Sequence, residues 1–137
     1  MPVADARGRF AQARVARLAT VRPDGRPHIV PIVFALDGDL LYTIVDAKPK
    51  LGPDLVRLRN IGAEPRVSLL VDHYADDWQA LWWVRADGIA TVVESGTPRE
   101  VAIHLLVEKY RQYDEWATPF GAAVVVRIDR WSSWSFT

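Results

Sequence analysis

The sequence predicts an α+β domain built on a six-stranded antiparallel β-barrel decorated with three helices. Two pieces of turn chemistry, Pro23-Asp24-Gly25 and Asp37-Gly38-Asp39, separate segments whose apolar residues alternate with period two. Helical periodicity is confined to three other segments. The resulting order is helix, three strands, helix, two strands, helix, strand. Tight connections make successive strands antiparallel neighbours, which points to a barrel and away from a parallel doubly wound sheet.

The first helix is expected over residues 3–13, where Val3, Ala6, Phe10 and Ala13 fall on one side. Residues 15–21 alternate as a strand does, residues 26–36 form the second strand beyond the Gly25 turn, and residues 40–45 form the third. After a break over 46–53, Leu55, Val56, Leu58 and Ile61 share a helical face, with Asp54 in the first turn and Gly62 just past the end. Pro65 opens a fourth strand over 66–71, and residues 72–77 form a polar loop. A long strand over 79–94 follows, bent near Asp87-Gly88. Thr97-Pro98-Arg99-Glu100 reads as a capping box that starts a helix reaching residue 113, with Val101, Leu105, Leu106 and Tyr110 inward. The last strand spans 122–128 and runs on toward Trp131 and Trp134.

At 137 residues the chain has the size of one domain, 1–137, with enough buried surface for one core. Half of it is apolar and 25% is charged, an ordinary globular balance. Acids and bases number 17 each, so the molecule carries no overall basic field for nucleic acid. The lack of cysteine excludes disulfides, thiolate metal sites and a cysteine nucleophile. Met1-Pro2-Val3-Ala4-Asp5 lacks the apolar core of a signal peptide, and no apolar run approaches the roughly 20 residues of a membrane span. A cytoplasmic setting without membrane insertion is the expectation. Six tryptophans are many for this length and point to pockets and interfaces as well as core.

Two segments carry candidate chemistry. In the first, Tyr42-Thr43 closes a strand, Lys48 and Lys50 follow, and a helix begins after them, with Arg57 one turn in. Hydroxyl, ammonium groups and unpaired helix N–H groups together suit a phosphate; an exposed basic loop is the other reading of the same residues. In the second, Trp83 and Arg85 share one face of a strand while Trp82 and Val84 share the other. An aromatic wall beside a cation suits a flat anionic heterocycle, and it equally suits a subunit interface. The histidines, His28, His73 and His104, have no metal-ligand spacing, and there is no nucleophile elbow, Walker loop or dinucleotide glycine pattern. No catalytic residue is identified, so the hard chemistry of an enzyme would belong to a cofactor.

Residues 15–34, with Leu18-Ala19-Thr20, Asp24-Gly25, Pro27 and Pro31 in order, resemble the opening hairpin of the split-barrel flavin-binding proteins. These form the pyridoxamine 5′-phosphate oxidase-like superfamily. Tyr42-Thr43, Lys48, Lys50, a helix and Pro65-Arg66-Val67-Ser68 continue the likeness, which covers roughly residues 10–128. The Asp72-His73-Tyr74 loop, Asp77-Trp78 and Leu81-Trp82-Trp83-Val84-Arg85 are most similar to its branch dependent on the deazaflavin coenzyme F420. The resemblance implies a six-stranded split barrel and a homodimer with the cofactor at the subunit interface. It implies that Thr43, Lys48 and Lys50 hold the cofactor phosphate and that His28, Val30 and Pro31 run beside the ring; Trp83 and Arg85, from the aromatic wall, are the further cofactor candidates. Leu51-Gly52-Pro53 departs from the usual pattern by delaying the helix, which brings Arg57 and Asn60 in as phosphate candidates. The expected activity is hydride transfer between F420 and a small planar or conjugated substrate, with Asp72, Tyr74 and Arg85 as donors on the substrate side. An FMN-dependent oxidase or reductase, and a flavin or haem carrier without turnover, are the alternatives.

Overall fold

The computed structural model describes residues 1–46, 53–113 and 120–137. A helix over Val3–Gln12 (α1) precedes the first hairpin, Ala16–Val21 (β1) and Pro27–Ile32 (β2). Its turn forms as the sequence anticipates. Gly25 adopts φ 88°, a conformation open to glycine, and the Asp24 carboxylate accepts from the Arg26 N–H at 3.1 Å. Ala35–Asp37 (β3) and Leu40–Asp46 (β4) make a second hairpin around Gly38. Then follow Pro53–Ala63 (α2), Arg66–His73 (β5), a 3₁₀ turn at Trp78–Ala80, Trp82–Val93 (β6), Thr97–Lys109 (α3) and Phe120–Ser135 (β7). No described helix is long and apolar enough to cross a membrane.

All neighbouring strands are antiparallel, in the order β2-β1-β5-β6-β7-β4-β3. The sheet therefore has seven strands, where six were expected. The difference lies at 26–36, read as one strand and divided in the structure at Val33 and Phe34. β2 pairs with β1 and β3 with β4, so these two strands, consecutive in the chain, occupy opposite edges of the sheet. A connection of two residues forces the edges together at that point, and the sheet curls into a split barrel that no ladder closes.

Side chains satisfy the backbone at this break, as buried peptide groups require. The Phe34 N–H donates to the Tyr110 hydroxyl at 3.1 Å, and the Phe34 carbonyl accepts from Lys109 Nζ at 3.0 Å. The Thr43 hydroxyl donates to the Val33 carbonyl at 2.8 Å. The division comes from partners far along the chain, which local alternation does not register.

Inward residues from nearly every strand, among them Leu18, Leu41, Leu69, Val84 and Val126, fill the barrel. Ala6 and Phe10 of α1 enter near the β6 residues Trp82 and Ala86, while Ile61 of α2 enters toward the Thr20 end. α3 covers β3, β4 and β7 from outside, burying Ala102, Leu106 and Tyr110 in a second cluster with Tyr42 and Ile44. Its start differs from expectation. The N-cap is Gly96 at φ 93°, no side-chain cap bond forms, and Thr97 lies inside the helix. A glycine free to take that angle makes the turn itself, so the capping box is not used. Asp72 and His73 also belong to a strand and not a loop, because they pair with Trp83 and Trp82. The expected bend at Asp87-Gly88 is a register shift against β7, and a Cβ on Gly88 would run into the Arg127 carbonyl oxygen.

Candidate functional site

The inner face of the β1–β2 hairpin and the buried face of α2 form one mouth of the barrel. Alternation on β2 turns His28, Val30 and Ile32 inward, opposite Thr20, Leu18 and Ala16 of β1. On α2, Arg57, Asn60 and Ile61 have the i, i+3, i+4 spacing of one face, and this is the face that is buried. Arg57 is 5% exposed and Asn60 1% exposed, whereas Leu55, Val56 and Leu58 remain half-buried. The helix thus buries a more polar face than its apolar pattern indicates. Polar groups cost free energy in such a place unless they are bonded. Asn60 meets this demand by donating to the Thr20 hydroxyl at 3.0 Å, both residues being buried.

His28 is half-buried at this mouth, and its Nδ1 is shut off from solvent with no partner among the described residues. Burial lowers its pKa from 6.5, and the Arg22 and Arg57 guanidinium groups lower it further. The imidazole is accordingly neutral at pH 7, able to give or take one hydrogen bond. Thr43 is fully buried on β4 with its one hydroxyl proton committed to Val33, so toward any other group it is an acceptor. Lys48 and Lys50, the expected phosphate ligands, lie outside the described residues.

The second set of expected residues lies on the outer face of the same sheet. Trp83 and Arg85 face outward together while Val84 is fully buried, as the period-two reading anticipates. Arg85 lies in register with Leu70, which lies in register with Arg17, and Arg17 with Pro31. In the next rows Asp72 opposes Trp83, which opposes Trp134, and Ile29 opposes Ala19. These positions enclose an open cleft of about 410 Å³ lined by Arg17, Ile29, Leu70, Asp72, Trp83 and Arg85. The Arg85 guanidinium lies 5.7 Å from the Trp83 ring centroid, donates to the Ser132 hydroxyl at 3.4 Å and sits 3.6 Å from the Asp87 carboxylate. Asp87 in turn accepts from the Ser68 hydroxyl at 2.6 Å. Of the three expected donors, Asp72 and Arg85 share this cleft, while Tyr74 lies exposed beyond the end of β5.

The expected residues therefore fall into two groups, His28, Val30 and Arg57 at the mouth and Pro31, Trp83 and Arg85 outside. β2 joins them, since its alternate side chains serve each in turn. A family model, pyridoxamine 5′-phosphate oxidase, matches residues 4–135. The chain belongs to the pyridoxamine 5′-phosphate oxidase family. Solved structures repeat the family's split barrel at low identity. A conserved hypothetical protein from Mycobacterium tuberculosis is 23% identical with TM-score 0.79, over 99% of this chain and 86% of that one. An FAD-binding protein from Mesorhizobium loti is 21% identical with TM-score 0.73, over 97% and 94%. A haem-binding protein from Mycobacterium smegmatis is 20% identical with TM-score 0.73, over 99% of this chain and 59% of that one. No curated protein matches the sequence.

Within this family fold, Thr20 and Arg17 are further candidate residues, placed by the structure at the mouth and in the outer cleft, that the sequence reading did not single out. Both were legible in principle. They occupy an inward and an outward position, respectively, of an alternating strand, three residues apart, and are its polar members. Their significance appears only once β1 is paired with β2 on one side and β5 on the other.

Proposed function

We propose that the chain is a cytoplasmic, homodimeric oxidoreductase subunit of this family that binds coenzyme F420 and serves hydride transfer to a small planar substrate. The observation that carries the reading is the solvent-shielded Nδ1 of His28, without a partner among the described residues, beside the buried Arg57 and Asn60. A buried nitrogen without a partner is costly in a protein that never fills the position, and a ring bearing amide-like groups would satisfy it. β2 is an edge strand of the sheet among the described residues, and its outer ladder groups are available to the same ligand. The cofactor, when bound, supplies the hydride chemistry.

The protein's part is to bind, orient and exclude water. Arg57 at the mouth, with Lys48 and Lys50 in the segment before α2, is assigned to the phosphate of the cofactor tail. His28 and Val30 are assigned to the edge of the ring, with Pro31 bordering it on the other side of β2. Trp83 and Arg85, with Arg17, give an aromatic wall and cationic groups for the substrate or for the ring's far side. Dimerisation is part of the proposal. Ile29, 63% exposed, lines a cleft that carries both Arg17 and Asp72, and Trp134, 43% exposed, opposes the lining residue Trp83, a pattern that a two-fold copy can match with opposite charge.

Titration of the purified protein with F420 and with FMN, followed by fluorescence, tests the reading. Tighter binding of F420 than of FMN is expected, weakened severalfold by His28→Ala and by Lys50→Ala. Tight FMN binding with weak F420 binding would place the chain among FMN-dependent oxidases or reductases. No binding of either would overturn the cofactor assignment. The second reading is a carrier of flavin or haem without turnover. One observation favours it: His73 is an exposed imidazole stacked on Trp82 at a centroid distance of 6.1 Å, open to an external ligand. A haem Soret band that His73→Ala abolishes would move the assignment there.

A further inference from the structure

Lys109 ends α3 with its ammonium group half-buried, and no ion pair joins it to a carboxylate among the described residues. Its three N–H groups go instead to three backbone carbonyls: Ala11 at 3.1 Å, Ala13 at 2.8 Å and Phe34 at 3.0 Å. The same nitrogen lies 3.9 Å from the centroid of the Phe34 ring. The next residue completes the arrangement. The Tyr110 hydroxyl accepts from the Phe34 N–H and lies 2.9 and 3.0 Å from the Arg14 and Phe34 carbonyl oxygens. Two adjacent side chains thus take the place of a sheet ladder where β2 becomes β3, and they tie that point to the end of α1.

Only the charged form of Lys109 can make all three bonds. A neutral amine has two N–H groups and must release one carbonyl. The charged and titratable groups that face it are few. Arg14, in the segment after α1, places its guanidinium 4.5 Å from the Tyr110 ring centroid and donates to the Lys109 carbonyl at 3.2 Å. Tyr110 is the titratable neighbour on α3 itself. The β2–β3 crossover presents Phe34, and α1 presents backbone carbonyls.

We propose that Lys109 is a positioning residue whose charged ammonium fixes the β2–β3 crossover, and through it the β2 strand on which the cofactor lies. The proposal rests on the cofactor reading above and adds a regulation of the same site: affinity depends on the protonation of a residue that touches no ligand. Burial, reinforced by Arg14, lowers the Lys109 pKa to about 8, while burial raises that of Tyr110. Between pH 7 and 9.5, then, Lys109 is the member of this pair that changes charge.

The test is the dissociation constant for FMN and for F420 from pH 7 to 9.5, in the wild type, Lys109→Arg and Lys109→Met. The wild type is expected to lose roughly threefold to tenfold in affinity with a midpoint near pH 8, the scale of one hydrogen bond. Lys109→Arg, which stays charged, should bind with no such midpoint. Lys109→Met should bind weakly at every pH. The same midpoint in Lys109→Arg, or a flat wild-type profile, overturns the proposal. A second readout needs no ligand. Phe34 packs on Phe10 at 5.1 Å and Phe10 on Trp131 at 5.3 Å, so the Trp131 contribution to the fluorescence is coupled to the crossover through Phe10. A fluorescence transition near pH 8 that Lys109→Arg abolishes, in a protein binding neither cofactor, would sustain the latch and reject the cofactor reading. The absence of that transition rejects the latch.

Discussion

The Asn60 side-chain amide donates to the Thr20 hydroxyl across 3.0 Å, both residues fully buried, and so ties α2 to the first strand at the mouth of the barrel. Removing one partner strands the other. Asn60→Leu is expected to cost about 1–3 kcal/mol, seen as a lower urea midpoint. Asn60→Leu with Thr20→Val should recover part of the loss, because neither group is then left unsatisfied. A double variant as unstable as the sum of its singles would show that the bond is not the source.

Gly88 occupies the register shift between β6 and β7, where a Cβ would meet the Arg127 carbonyl oxygen. Gly88→Ala should destabilise by roughly 1–3 kcal/mol through displaced backbone. Chemical denaturation gives the number directly, and wild-type stability in the variant would mean that β7 yields without cost.

The pH dependence of stability on the acid side follows from His28. Its pKa is lowered in the folded protein, first by burial and then by Arg22 and Arg57. Below 6.5 the unfolded chain therefore takes up the proton before the folded one does, and stability falls as pH falls through that window. In His28→Gln this part of the slope should vanish. Thermal melts at intervals from pH 7 to 5 measure it, and parallel slopes in the two proteins would contradict the assignment.

Trp83 and Trp134 oppose each other across β6 and β7 on the outer surface, and Trp83 lines the same cleft as Arg85 and Arg17. Sedimentation of the wild type at micromolar concentration is expected to give a dimer, and Trp83→Glu a monomer with an unchanged melting profile at its core. A monomeric wild type would remove the interface from the proposal.

Much of the fold is written locally. Gly25 and Gly38 announce their turns, and the outward pairing of Trp83 with Arg85 follows from period two alone. Two features are not local. The division of residues 26–36 depends on Lys109 and Tyr110, which lie 75 and 76 residues beyond Phe34, so the alternation reads as continuous across a real break. The buried face of α2 defeats the apolar count because Arg57 and Asn60 are recruited inward by Thr20 and the barrel mouth, partners set by tertiary structure. The candidate site is a list of residues in the sequence, His28 and Arg85 among them, and the sequence does not show that they divide between two surfaces separated by one strand.

The join between β2 and β3 also bears on how the protein is made. Phe34 leaves the ribosome well before the side chains that satisfy its N–H and carbonyl, which belong to the end of α3. β4, next in the chain, likewise waits for β7. The nascent chain can form the β1–β2 hairpin at once, but the barrel stays open until α3 and β7 have been synthesised. A translation product stopped before Lys109 would carry exposed strand edges at that break and be a substrate for chaperones and proteases instead of a smaller version of the fold.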